Sequence, residues 1–224
     1  MAGWGLFKAG RYEQAKDQFE RVQRAASVPP DPYVETRAVA NIGGCWFALH
    51  RYRLALKSFV KAQDLAEKNG DSSAAAALEA NVASLYSELG ELDAAVAWLE
   101  KSLSAWTGTE RARHLPQLEF EMASLRARQG RAPEAGELFR KGIEGAAAAG
   151  DQALVAIGCN KLGEERLRAG QPDDAEGPFL QAYYIRKLNH LPLEGSYTNL
   201  GRLRLAQGDF DSASALLDRA VELE

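Results

Sequence analysis

The chain has 224 residues, a formal net charge of −4 and 46% hydrophobic residues. That is enough apolar material for a continuous core, and no stretch approaches the run of about 18 apolar residues a membrane helix needs. The mildly acidic balance argues against a nucleic-acid binder, whose partner demands a concentrated basic face, and the first residues lack the basic stretch and apolar core of a signal peptide.

In chain order the predicted elements form six similar units, aligned on Ala15, Ala55, Ala95, Ala135, Ala175 and Ala213, with steps of 40, 40, 40, 40 and 38 residues. Unit one (about 1–28) holds a short first helix over residues 2 to about 8, a turn at Gly10, then a helix carrying Tyr12, Ala15 and Phe19. The run Pro29-Pro30-Asp31-Pro32 closes it. Unit two (32–70) has Asn41, Ile42 and Gly43 on its first helix, a stop at His50, and Tyr52, Ala55 and Phe59 on its second. Gly70-Asp71 then reads as a helix stop followed by the N-cap of the next helix.

Unit three (71–107) repeats the phrase with Asn81, Val82, Ala83, then Gly90, then Leu92, Ala95 and Leu99, and ends in the junction Trp106-Thr107-Gly108-Thr109. Unit four (110–150) carries Glu121, Met122, Ala123, Gly130, Ala132, Ala135 and Phe139, closing on Gly150-Asp151. Unit five (151–190) has Asn160, Lys161, Leu162, Gly163, Gly170 and Pro172, a proline that fits the first turn of a helix. Unit six (193–224) has Asn199, Leu200, Gly201, Gly208, Phe210, Ala213 and Leu217.

The same physical sense holds in each unit. A Gly five residues before the anchor Ala, present in five of six units, marks a helix end where the chain turns left-handed. The anchor Ala and the bulky residue four places on share one helix face. The small residue twelve before the Ala (Gly3, Gly43, Ala83, Ala123, Gly163, Gly201) requires close approach of another helix. Each unit is therefore a pair of antiparallel helices, A then B. The expected fold is all-α: one domain spanning residues 1–224, a right-handed α-solenoid of six pairs without β-sheet.

This pattern resembles the tetratricopeptide repeat over residues 2–224, in an extended form with a period near 40 residues where 34 is usual. The early Trp of that family is absent. Val39, Glu79, Glu119, Cys159 and Tyr197 stand in its place, and the closing Pro is missing as well. Extended repeats of this kind are similar to those of spindle-orientation adaptors, kinesin light chains and bacterial signalling proteins.

The resemblance implies that the A helices line a groove that receives an extended peptide or a partner's helix. It also implies that an Asn fourteen before the anchor Ala, one per unit, holds the ligand backbone. A carboxamide carries donor and acceptor together, so it pairs with a peptide unit of any sequence. Asn41, Asn81 and Asn199 match that place, while Glu121 and Lys161 depart from it. On the same stripe, helical spacing places Asn160, Arg128, Arg168 and Arg202, among others, and with Lys161 these basic residues would make the C-terminal half of the groove suited to carboxylates. Arg126, Arg166 and Arg204 read instead as covers of helix edges, and Trp46 and Phe47 as core or groove lining, with core favoured.

No residues carry chemistry. His50, His114 and His190 fall at helix junctions in different units, no spacing brings two metal ligands onto one helix face, and glycines lie at repeat spacing rather than in a phosphate loop. Cys45 and Cys159 have no second cysteine nearby and read as small buried residues in a reducing, cytoplasmic setting. No catalytic residue, metal or cofactor is expected. The expected function is a protein–protein interaction scaffold holding a peptide or partner protein. The alternative is a regulatory or oligomerisation segment of a larger bacterial signalling or effector protein, for example one preceding a caspase-like peptidase. The half-length first helix and the uncapped last one make the chain an expected excerpt of a longer protein, with self-association through its exposed ends.

Overall fold

The computed structural model describes residues 2–26, 29–106 and 114–223. Helices account for almost all of them: α1 (Ala2–Lys8), α2 (Tyr12–Ala25), α3 (Pro32–Ala48), α4 (Tyr52–Lys68), α5 (Ser72–Glu88), α6 (Leu92–Trp106), α7 (Leu115–Arg128), α8 (Ala132–Ala148), α9 (Gln152–Arg168), α10 (Pro172–Leu188), α11 (Glu194–Gln207) and α12 (Phe210–Val221). They form sequential antiparallel pairs, with no β-strand among the described residues. The chain divides into two compact units, residues 1–109 and 110–224, which hold α1–α6 and α7–α12. The junction expected at Thr107-Gly108-Thr109, the start of the fourth repeat at 110 and the last residue, Glu224, lie outside the described residues, as does the end of the first repeat at residues 27–28.

Helix ends follow from local chemistry. Every turn from an A helix to a B helix passes through one left-handed residue: Gly10, His50, Gly90, Gly130, Gly170 and Gly208, with φ between 56° and 81°. Only His50 incurs the steric cost of a side chain there. The same device closes three B helices, at Gly70, Gly150 and His190. Asp31, Asp71, Asp151 and Asp209 cap the helices that follow, each accepting a bond from a backbone N–H three residues on at 2.9–3.1 Å.

Pairs lock through the small residue of A and the bulky residue of B sixteen places later. A methyl on Gly3 would meet Phe19 at 2.7 Å, on Gly43 Phe59 at 2.6 Å, on Gly163 Phe179 at 2.6 Å and on Gly201 Leu217 at 2.8 Å. The small residue thus makes room for a ring or branched side chain, while the anchor alanines are fully buried beside it.

In the first unit one cluster runs through α3–α6, built on Val39, Phe59, Leu78, Val82 and Leu85, and a second joins α1–α3 around Phe19, Ile42 and Cys45. In the second unit Phe120 and Phe139 stack with ring centroids 6.3 Å apart. Clusters around Cys159 and around Phe179 with Leu203 continue that core.

Candidate functional site

The first unit holds an open cavity of about 370 Å³ on the face carried by its A helices. Trp4 and Phe7 of α1 form one wall. Ala40, Asn41, Gly44, Phe47 and Ala48 of α3 form another, Asn81 and Ser84 of α5 the third, and Phe19 and Phe59 the floor. The floor is a consequence of the repeat, since these are the rings seated on Gly3 and Gly43. The aromatic wall is braced from behind: Trp4 and Phe7 meet edge-to-face at 5.4 Å, Phe7 meets Tyr12 at 5.1 Å, and Phe47 meets Tyr52 at 5.7 Å.

Asn41 and Asn81, expected in a groove, do line this cavity, one on each of two successive A helices. Neither carboxamide is engaged with another described residue. Ser84 donates to the carbonyl of Ala80 at 3.1 Å within its own helix. Phe47, for which core and groove lining were both open, packs against the core and also lines the cavity, while Trp46 is half-buried and covered by the Lys16 ammonium 4.9 Å from its ring centroid. Trp4 and Phe7 have no counterpart in the sequence expectation. The legible signal was two aromatics at i and i+3, hence on one face of α1.

The second unit treats the corresponding stripe differently. Glu121 of α7 is largely buried, which pushes its carboxyl above the usual range, and the positive charge of Lys161 on α9 and a hydrogen bond from Gln117 pull it partly back. The two departures from the Asn pattern therefore compensate each other. Asn160 is half-buried, with its Oδ1 shielded from solvent and without a hydrogen-bond partner, and Asn199 is only 8% exposed. Arg128, Arg168 and Arg202 are exposed, but Arg168 is tied to Glu165 of its own helix. Arg168 also borders a smaller cavity of about 150 Å³ with Phe139, Leu162 and Arg166.

The three edge arginines close the ends of their own helices, and Arg204 also reaches Glu176 of α10 at 2.6 Å. Arg126 donates to Gln129, Arg166 to Gln171 and Arg204 to Gln207, at 3.0, 3.2 and 2.6 Å. Cys45 and Cys159 are buried free thiols, each pushed up to about 11 by burial. Among the described residues no cluster is able to hold a metal ion and no helix is long and apolar enough to cross a membrane.

Helix pairs repeated at constant spacing, locked small-to-bulky and turned at a left-handed residue, define a helical repeat array. Residues 35–107 and 194–224 match tetratricopeptide repeat profiles, so these stretches carry tetratricopeptide repeats. Its fold is similar to that of BtubC (BKLC) from P. vanneervenii, with a TM-score of 0.77 at 20% identity over 95% of this chain and 90% of that one. It is also similar to NprR in complex with its cognate peptide NprX, with a TM-score of 0.71 at 15% identity over 99% of this chain and 64% of NprR. A third likeness is to the kinesin light chain repeats of Podosopora anserina, with a TM-score of 0.69 at 17% identity over 84% of this chain and 93% of that one. The chain spans less than two thirds of NprR and, with a TM-score of 0.68 at 16% identity, of the plasmid pLS20 Rap regulator in complex with the Phr* peptide. No curated protein matches it in sequence.

Proposed function

We propose that this protein is a binding scaffold, not an enzyme, and that the A-helix face of its first unit holds an extended peptide or a peptide-like segment of a partner protein. The observation that carries this reading is the pair Asn41 and Asn81, two unengaged carboxamides on successive A helices beside an apolar cavity. Each offers a donor and an acceptor, the complement of one peptide unit. Free polar groups next to buried aromatic surface are what a ligand site requires. Peptide complexes of NprR and of the Rap regulator, on folds that superpose over 99% of this chain, support the same use of the architecture. The buried free thiols fit a reducing, cytoplasmic setting.

Selection of a randomised peptide library on the immobilised protein, followed by calorimetry with the enriched peptides, tests the assignment. Asn41→Ala and Asn81→Ala are each expected to weaken binding by roughly three- to tenfold, the loss of about one net hydrogen bond. Enriched peptides that bind the double variant as tightly as the native protein would sink the assignment of this face. A second reading, the array as the regulatory part of a larger protein, is favoured by neighbours such as NprR whose chains run well beyond the matched part.

A further inference from the structure

We infer that the cavity of the first unit receives one bulky uncharged side chain, aromatic or branched aliphatic, of the bound peptide, and that Gly44 keeps the cavity open for it. The inference rests on the peptide-binding reading of the same face and adds the chemistry of the occupant.

Gly43 and Gly44 are neighbours in the middle of α3, yet only one has a packing reason to be glycine. A methyl on Gly43 would stand 2.6 Å from Phe59. A methyl on Gly44 would meet no atom within 4 Å, and its φ is not in the left-handed region. Glycine weakens a helix interior relative to alanine, so Gly44 is locally unfavourable with no compensating contact inside the protein. What it supplies is volume, because it forms part of the cavity wall between Asn41 and Phe47.

The lining decides the class of occupant. None of the eleven lining residues is charged, and five are Trp or Phe rings or the two Asn carboxamides away from the floor. A charged side chain seated there would lose its hydration without a counter-ion, which costs far more than the contacts return. A large apolar side chain would cover Trp4, which is now 48% exposed, and would leave Asn41 and Asn81 beside the backbone on either side of it. At about 370 Å³ the space falls in the range of small-ligand sites and admits a large side chain.

The test uses the full chain, native and Gly44→Leu, with N-acetyl amino-acid amides of Phe, Leu, Glu and Lys as probes. Nitrogen-15 spectra follow the Trp4 indole and the Asn41 and Asn81 carboxamides. The Phe and Leu probes are expected to shift all three saturably, and the Glu and Lys probes to leave them in place. Gly44→Leu is expected to abolish the response and to lower the affinity of library-selected peptides roughly ten- to hundredfold, while its thermal midpoint stays at or above the native value. Charged probes that bind as well as apolar ones, no response to any probe, or a stable Gly44→Leu protein that binds peptide at native strength would each overturn the inference. If Gly44→Leu binds normally while Asn41→Ala and Asn81→Ala do not, the cavity assignment fails and the peptide-binding reading stands.

Discussion

The Glu79 carboxylate, 3% exposed on α5, is held by the ammonium of Lys101 on α6, with Oε1 and Nζ 2.7 Å apart. One repeat later Glu119 and Lys141 stand in the same relation at 2.6 Å. These carboxylates occupy the place where the family carries its early Trp, so an apolar wedge between A and B is replaced by a buried acid clamped from the rim by a lysine. In both pairs the lysine is half or more exposed and the glutamate is not, so the lysine stem reaches in from water to a fixed partner.

Removing only the lysine leaves a buried charge without its counter-ion. Lys101→Met is expected to destabilise the first unit by about 1–3 kcal/mol, less than a fully buried pair would lose because the ammonium is half in solvent. Adding Glu79→Leu to it should recover most of that loss. Urea unfolding of the two variants checks both; a double variant as unstable as the single one would show that Glu79 contributes through something other than this pair.

The same pair sets an alkaline limit. Hydrogen bonding to Glu79 holds Lys101 above the ordinary lysine value of 10.5, with Glu67 adding to it against burial. A base whose folded value is raised contributes stability that is complete below its unfolded value and is lost as pH rises through the folded one. The stability difference between the native protein and Lys101→Met should therefore be constant from neutral pH to about 10.5 and shrink above it, as followed by denaturation at stepped alkaline pH.

Glu121 gives an opposite window. Burial raises its carboxyl above the ordinary value of 4.5, so its charged form is disfavoured in the folded state. Its neutral form favours folding at low pH, and that advantage disappears as pH rises through the folded value. Glu121→Gln is expected to be more stable than the native protein at neutral pH and to lose that margin as pH falls toward 4.5. Parallel denaturation curves between pH 4 and 7 measure it; a margin that does not change with pH would assign the effect to packing.

Adjacent glycines of α3 should respond with opposite sign. Gly43→Ala forces a methyl against the Phe59 ring and is expected to cost about 1–3 kcal/mol. Gly44→Ala enters open space and should gain about 0.5–1 kcal/mol from helix propensity. Helix propensity is the same at both positions, so the difference in their thermal midpoints isolates the contact with Phe59.

Phe120 lies fully buried in a socket whose walls are glycines: a methyl on Gly142 would meet its ring at 2.5 Å, and one on Gly158 would fall well inside van der Waals contact. Gly158→Ala should destabilise the second unit by about 2 kcal/mol or more, and Phe120→Leu should be less costly in that background than alone. A thermodynamic cycle over the four proteins reads the coupling; strict additivity would mean the clash is relieved elsewhere.

Much of this is visible in the chain before any packing is considered. The left-handed turns at Gly10, Gly90, Gly130, Gly170 and Gly208 and the caps at Asp71 and Asp151 depend on residues close in sequence, whereas the seating of Phe19 on Gly3 and of Phe179 on Gly163 showed only in the packing. The Asn41 and Asn81 positions were legible as well, because helical spacing assigns a face. Asn199 was placed on the same stripe by the same rule, and the structure leaves it only 8% exposed.

By itself the sequence determined the repeat, the pairing of helices within each unit and the need for close approach at the small residue of each A helix, because these follow from backbone sterics and from periodicity over a few turns. Only the tertiary structure decided which residues of the A-helix stripe are available. Exposure is a property of what neighbouring helices place beside a residue: Trp4 and Phe7 raise a wall that leaves a cavity at Gly44, while Lys161 from α9 occupies the charge of Glu121 on α7. Spacing along one helix cannot report what stands opposite it across a helix–helix gap, and there the candidate site is made.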